Sequence, residues 1–165
     1  MTRLEFDVSA LDHSSIRVRR IYDYWNEIRA GRSMPYRSDF DPTDIPHHLP
    51  GILLIDIEGV RPDGTGIYRY RVVGQWEVAA RGHNPTGSLV EDGFFGPSLE
   101  SCLTDYDTVR RTGTPLFAPL DFIDSRGLHV NEYSIVLPFT DNGVEVSKIL
   151  VYSERRVRAE NDLPY

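Results

Sequence analysis

Apolar residues recur at helical spacing near the start of the chain. Four of them, three or four positions apart, fall on one face of a helix: Val18, Ile21, Trp25 and Ile28. Ser14 or Ser15 can cap the start of this helix and Gly31 its end, so the pattern predicts an amphipathic helix over residues 15–30. Its apolar stripe must be covered either by the chain's own sheet or by the same helix of a partner chain.

Two strand-like segments follow. Residues 51–59 form an almost unbroken apolar run, which favours a strand covered on both faces. Residues 67–74 alternate, with Tyr68, Tyr70 and Val72 predicted on one face. The Asp63-Gly64 turn between the two segments predicts a hairpin.

The second half of the chain changes from helical to extended patterns. Two short helices are predicted after Gln75 and a longer one over residues 97–112, capped by Ser98 and ended by Gly113. Three strands follow at 115–124, 129–139 and 144–157. The order predicts an α+β fold: a five-stranded antiparallel sheet, helices between strands 2 and 3, and the N-terminal amphipathic helix.

The composition of the chain argues against several classes of protein. The net charge of −7 argues against nucleic-acid binding, and no apolar run approaches the ~20 residues of a membrane span. The first residues lack a signal-peptide pattern, and Cys102 is the single cysteine, so we expect a cytoplasmic protein. The pattern divides the chain into a tail (1–14), a helix and linker cap (15–50), a core (51–157) and a second tail (158–165), with no fused output domain.

The segment "RSDFDPTDIP" (37–46) contains three aspartates and resembles a cation site at first sight. Capping accounts for it better: Asp41 is an N-cap, Pro42 the first helical residue and Asp44 an acid of the first turn. Phe40 and Ile45 have the spacing of a hydrophobic staple. Asp39 is left to pair with Arg37 or Arg32, and we expect an architectural role for the segment.

The sequence resembles PAS domains beyond its element order. Trp25, "RAG" (29–31) and "MPYRSDFDP" (34–42), followed by "YRYRVVG" (68–74) and "GHNPTG" (82–87), resemble a bacterial family of short single-PAS-domain chains once described as a domain of unknown function. The resemblance implies a sheet cupping a small apolar cavity beneath helices, used for sensing or protein association. It implies no reaction.

Candidate cofactor and catalytic residues are sparse. The adjacent His47 and His48 are expected to be exposed turn residues rather than metal ligands, and haem-binding PAS domains carry a histidine that residues 97–113 lack. Flavin-binding LOV relatives carry a reactive cysteine where "RGHNPTGSLVED" (81–92) has none, and Cys102 is expected to be a small buried residue. We expect no metal, cofactor or enzyme activity; Asp56 is the best candidate base for the less favoured alternative, an enzyme of the ketosteroid-isomerase-like type.

The favoured interpretation is a sensory or regulatory PAS module that binds a small apolar ligand or a partner protein and signals in trans. The alternative is a dimerisation or interaction domain that binds no ligand. The candidate pocket residues are Tyr70, Val72, Trp76, Phe94, Leu103, Tyr106, Phe117, Tyr133, Ile135, Leu137, Ile149 and Val151. The helical stripe Val18, Ile21, Trp25 and Ile28 is the candidate interface of a homodimer.

Overall fold

A computed structural model describes residues 6–124 and 126–157. The helices are α1 (Ile16–Ile28), α2 (Gln75–Arg81), α3 (Val90–Gly93) and α4 (Leu99–Thr112). The strands are β1 (Ile52–Val60), β2 (Gly66–Val73), β3 (Leu116–Ile123), β4 (His129–Thr140) and β5 (Val146–Val157). The predicted first tail includes a 3-10 helix over Val8–His13, and the predicted second tail lies outside the described residues.

The five strands form one antiparallel sheet in the order β2-β1-β5-β4-β3. This arrangement, with α2, α3 and α4 between β2 and β3, confirms the predicted α+β fold. Pro119 lies on β3 at an edge of the sheet, where a residue without an N–H is tolerated. None of the helices in the described ranges is both long and apolar enough to span a bilayer.

Helix α1 packs its apolar stripe on its own sheet. Of the two serines that the sequence offers as a cap, Ser15 takes the role: its side chain accepts a hydrogen bond from the Val18 N–H. Val18, Ile21 and Trp25 are buried within the chain, and the Trp25 indole N–H donates to the Pro138 carbonyl at 2.9 Å. These three side chains therefore offer no surface for a dimer. The prediction that they form a dimer interface is wrong, and they belong to the core of the chain. Ile28, the fourth member, is partly exposed.

The acidic segment after α1 is architectural, as predicted. Asp41 accepts a hydrogen bond from the Thr43 N–H and caps a short 3-10 turn, Pro42–Asp44. Asp39 pairs with Arg32 at 2.6 Å and also accepts from the Tyr36 N–H. All of these carboxylates are thus occupied by local partners, and the segment anchors the chain between α1 and β1.

A buried carboxylate ties α4 to the start of β2. Asp107 is 4% exposed and accepts hydrogen bonds from the Gly66 N–H at 2.9 Å and the Tyr68 hydroxyl at 2.5 Å. Arg110 pairs with the same oxygen at 3.4 Å. Because α4 covers the sheet, these contacts fix the height of the helix above β2.

His48 is buried, contrary to the predicted exposed position. Its ring packs edge-on against Tyr152, with 5.1 Å between ring centroids, and its Nε2 lies 3.0 Å from the Arg17 carbonyl oxygen. This hydrogen bond offsets part of the cost of burying the polar ring. The adjacent His47 is exposed, as predicted. Burial lowers the pKa of His48. The hydrogen bond with the Arg17 carbonyl opposes this shift in part, whereas the charges of Arg17, Arg20 and His47 add to it.

We predict that His48 makes the protein less stable in mild acid. Below about pH 6.5 the unfolded chain gains a proton at His48. The folded chain resists that proton because its His48 pKa is lowered, so stability present above pH 6.5 is lost as the pH falls. Urea unfolding of wild type and His48→Gln from pH 7.5 to 5.0 should show the wild type losing stability relative to the variant, by at most about 1.4 kcal/mol per pH unit. A difference that stays constant across this range would contradict the prediction.

Candidate functional site

A partly open cleft of about 230 Å³ lies between the sheet and the helices that cover it. Helices α2 and α4 and the segment 94–98 form its cover, and β1, β2, β3, β4 and β5 form its floor. For comparison, an engineered cavity of about 150 Å³ holds benzene. The cleft therefore has room for a small molecule.

The cleft is lined by aromatic, aliphatic and charged side chains together. The lining residues on the cover are Glu77, Arg81, Phe94, Phe95, Gly96, Pro97, Ser98, Ser101, Cys102, Asp105 and Tyr106. Those on the strands are Leu53, Tyr70, Ala118, Pro119, Leu120, Glu132, Ser134, Val136, Val151, Ser153 and Arg155.

An ion-pair network centred on the buried Glu77 forms part of the cleft lining. The Glu77 side chain is 1% exposed and pairs with Arg81, at 2.7 Å, and with Arg155, at 3.0 Å. Arg155 also pairs with Glu132 at 2.6 Å. The network joins the cover helix α2 to β4 and β5. A charged group placed beside it would therefore alter the ion pairs that hold the helix on the sheet.

Cross-strand pairing sets the positions of the polar groups on the floor. Glu132 lies opposite Arg155, and Ser134 lies opposite Ser153. The two serine hydroxyls are 2.7 Å apart, and Ser134 donates to Glu132 at 2.9 Å. The polar floor is therefore hydrogen-bonded internally before any ligand enters.

Both arginines of the network are fixed in place by aromatic rings and carbonyls. The Arg81 guanidinium lies over the Tyr70 ring, and its Nε donates to the Gly93 carbonyl at 2.6 Å. The Arg155 guanidinium lies over the Phe95 ring, 5.0 Å from the centroid. Stacking and ion pairing together restrain both guanidinium groups.

Cys102 lines the cleft as a protonated thiol. Burial raises its pKa to about 11, so little thiolate exists at neutral pH. Burial also raises the pKa of the neighbouring Tyr106 hydroxyl. Neither group is activated as a nucleophile or base by its surroundings.

Four of the predicted pocket residues line the cleft: Tyr70, Phe94, Tyr106 and Val151. The structure places the other eight elsewhere. Ile149 is buried beyond the end of the cleft, and Leu103 packs partly buried at the margin of the core.

Val72 leaves the predicted face because of a β-bulge. Tyr70 pairs with Ile55, whereas Val72 pairs with the preceding residue, Leu54, so Arg71 is an extra residue. The alternation reverses there, and Val72 is 48% exposed. Trp76 is also at the surface, 42% exposed, because α2 turns its neighbour Glu77 inwards.

The remaining four residues lie on the outer face of the sheet. Since Ser134 and Val136 face the cleft, Ile135 and Leu137 face the other way, towards the α1 side, and are buried there. Phe117 and Tyr133 stack on each other, with 6.2 Å between ring centroids, at the edge of that face. Asp56, the candidate base, is not a lining residue; it pairs with Arg71 and Lys148.

The sequence interpretation missed the charged members of the cleft and its serines, which are Glu77, Arg81, Ser98, Ser101, Asp105, Glu132, Ser134, Ser153 and Arg155. One signal for them exists. Glu77 and Arg81 are four residues apart on a helix, the spacing of an ion pair. Such pairs are usually solvent-exposed, however, and the pattern alone does not show that this one points inwards.

Comparisons with known proteins return one family. A PAS domain model matches residues 12–150. Searching the curated proteins gave no match.

Solved structures similar to the chain are PAS and light-oxygen-voltage domains. A light-oxygen-voltage domain studied with a flavin analogue is 11% identical over 72% of this chain and 84% of its own, with a TM-score of 0.48. The light-state Aureochrome1 LOV domain, from a blue-light photoreceptor, is 10% identical over 72% and 89%, with a TM-score of 0.45. The PAS domain of Bordetella pertussis BvgS is 16% identical over 73% and 90%, with a TM-score of 0.44.

Proposed function

Because the chain belongs to the PAS domain family, whose fold is that of sensory and regulatory modules, we propose that it senses a small molecule in the cleft and signals to a partner protein. The observation that carries the proposal is the cleft of about 230 Å³, which is lined in part by the ion-pair network of Glu77, Arg81, Arg155 and Glu132. Ligand sites are concave and largely apolar, with a few fixed polar groups, and this cleft has that composition.

The network supplies a route from the cleft to the surface. A ligand next to Arg155 or Glu77 changes the free energy of the ion pairs that hold α2 against β4 and β5. If α2 has two packings on the sheet, a ligand that binds one of them better shifts the population towards it. The exposed side of α2, which includes Trp76, then changes its position relative to a partner.

The partner is a second copy of the chain or another protein, and we place the interaction in the cytoplasm. Because Val18, Ile21 and Trp25 of the α1 stripe are buried within the chain, we expect contacts with a partner to use other surfaces. The edge strand β3 offers apolar side chains for this purpose: Leu120 is 41% and Ile123 is 62% exposed. These exposed residues also favour the second candidate, an interaction domain that binds no ligand.

We propose that the module is not an enzyme. The raised pKa values of Cys102 and Tyr106 keep both cleft residues protonated at neutral pH. The candidate base Asp56 lies outside the cleft lining and is neutralised by Arg71 and Lys148.

Filling the cleft tests the proposal. Ala118 lines the cleft from β3, so Ala118→Phe should occupy the space that a ligand needs. Ala79→Phe, on the exposed side of α2, adds the same ring at the surface and serves as the control. In a thermal-shift screen of small-molecule fragments, compounds that stabilise the wild type and Ala79→Phe should leave Ala118→Phe unchanged. Circular dichroism checks that both variants fold.

The two candidate functions give different results in this screen. A sensory module should bind fragments in the wild type and lose them in Ala118→Phe. An interaction domain without a ligand should bind none. Fragments that stabilise Ala118→Phe as much as the wild type would show that the cleft is not their site.

A further inference from the structure

The charges around the cleft do not balance. Its lining contains three carboxylates, Glu77, Asp105 and Glu132, and two guanidinium groups, Arg81 and Arg155. The two glutamates and two arginines neutralise each other through the ion pairs of the network. Asp105 is left over, so the cleft as a whole carries one uncompensated negative charge.

Among the residues that the structure describes, Asp105 has no partner that balances that charge. It lies on α4, one turn after Cys102 and next to Tyr106, and it is partly buried. Within the described ranges, no ion pair or hydrogen bond joins its carboxylate to another residue. Burial raises its pKa without an opposing contribution from a cation. An ion or molecule of positive charge beside it would relieve the cost of desolvation.

The two arginines of the cleft are not available to bind an anionic ligand. To bind a carboxylate or phosphate, Arg155 would have to weaken its contacts with Glu132, at 2.6 Å, and Glu77, at 3.0 Å. Arg81 is 3% exposed and already donates to Glu77 and the Gly93 carbonyl. Removing a partner from a buried charge is costly, so neither guanidinium is free to act as an anion receptor.

The other walls fit a small organic group. Phe94, Tyr106, Leu53 and Val136 provide the apolar surface of the cleft, and its volume of about 230 Å³ limits the size of the occupant. We propose that the ligand is a small organic cation, a protonated amine. This inference rests on the proposed function, in which the cleft binds a small molecule. The ammonium group of the ligand pairs with Asp105, and its hydrocarbon part packs against Phe94 and Tyr106.

Matched probes test the sign of the charge. Benzylamine and butylamine are compared with the neutral benzyl alcohol and butanol and with the anions benzoate and butyrate. Affinity is measured by calorimetry. The site is reported by the rate at which N-ethylmaleimide labels Cys102, the single cysteine of the chain, with and without each probe. At least one amine should bind, slow the labelling and exceed its neutral and anionic counterparts in affinity.

Two variants identify the group that recognises the amine. Asp105→Asn removes the charge at nearly constant shape and should weaken amine binding about tenfold, while binding of the alcohols is unchanged. Glu100→Gln removes a charge from the exposed side of the same helix and should change neither. Labelling is compared as the ratio with and without probe in each variant, because Asp105 itself influences the thiol.

The outcomes separate this inference from the proposed function. If alcohols or carboxylates bind in the cleft as tightly as the amines, or if Asp105→Asn leaves amine binding intact, the cation assignment is overturned and a sensory cleft remains. If neither these probes nor any fragment protects Cys102, the proposed function and the cation assignment both fall.

Discussion

Replacing Glu77 with alanine is expected to lower the free energy of unfolding by about 3–5 kcal/mol. Glu77 is fully buried and is the carboxylate that Arg81 and Arg155 share. Without it, Arg81 stays buried with its charge uncompensated, and α2 loses its ion pairs to the sheet. Domains of this size have about 5–15 kcal/mol of stability in total, so the variant should unfold at much lower urea concentration.

Glu58→Ala is the matched control for Glu77→Ala. Glu58 also pairs with an arginine, Arg69, at 2.5 Å, but both side chains are about 40% exposed. Exposed pairs contribute about 0–1 kcal/mol, so Glu58→Ala should shift the urea midpoint little. Similar losses for the two variants would contradict the view that the network is buried and connects α2 to the sheet.

The second large effect is expected at Trp25, which is 3% exposed and hydrogen-bonded to the Pro138 carbonyl. Trp25→Ala should cost about 3–5 kcal/mol because it leaves a cavity beneath α1 and an unpaired carbonyl. Trp25→Glu should unfold the protein rather than separate a dimer. Urea unfolding together with size-exclusion chromatography distinguishes these results.

The other tryptophan provides the comparison. Trp76 is 42% exposed and is contacted by Arg17, which lies 5.7 Å from the ring centroid. Trp76→Ala should cost about 1 kcal/mol or less, the range of an exposed cation–π contact. If Trp25→Ala is as stable as the wild type but changes the oligomeric state, the stripe on α1 is an interface after all.

Local features of the chain were predictable because they depend on neighbouring residues. Ser15, Asp41 and Ser98 cap the helices and turns that the sequence predicts for them. Gly113 adopts the left-handed conformation that ends α4. Such signals require no knowledge of which distant segments meet.

The positions of the polar groups on the floor of the cleft depend on the register between β4 and β5, which the sequence did not reveal. Asn142-Gly143 is typical of a two-residue hairpin turn, and such a turn would set Glu132 opposite Ser153. The loop in fact spans residues 141–145, and the pairing is irregular just before it, between Phe139 and Thr140, so Glu132 lies opposite Arg155 instead. A shift of two residues along β5 thus decides whether the strands carry an ion pair at this point.

The rotation of α2 was the other unpredictable element. Hydrophobicity alone turns Trp76 towards the core, yet the helix buries Glu77 because Arg155 and Arg81 meet it there. The benefit of that rotation arises from a strand almost eighty positions away in the chain. An apolar cavity was therefore expected, and a cleft with charged groups in its lining was found.

The central claim is that this cleft is where a small molecule binds. Chemical-shift mapping by NMR, with isotope-labelled protein and its tightest-binding fragment, tests the claim most directly. The account predicts that the largest shifts fall on α4 around Cys102 and Asp105 and on Ser134 and Ser153 of the floor. Shifts concentrated around Phe117 and Tyr133 on the outer face, with the cleft residues unchanged, would contradict it.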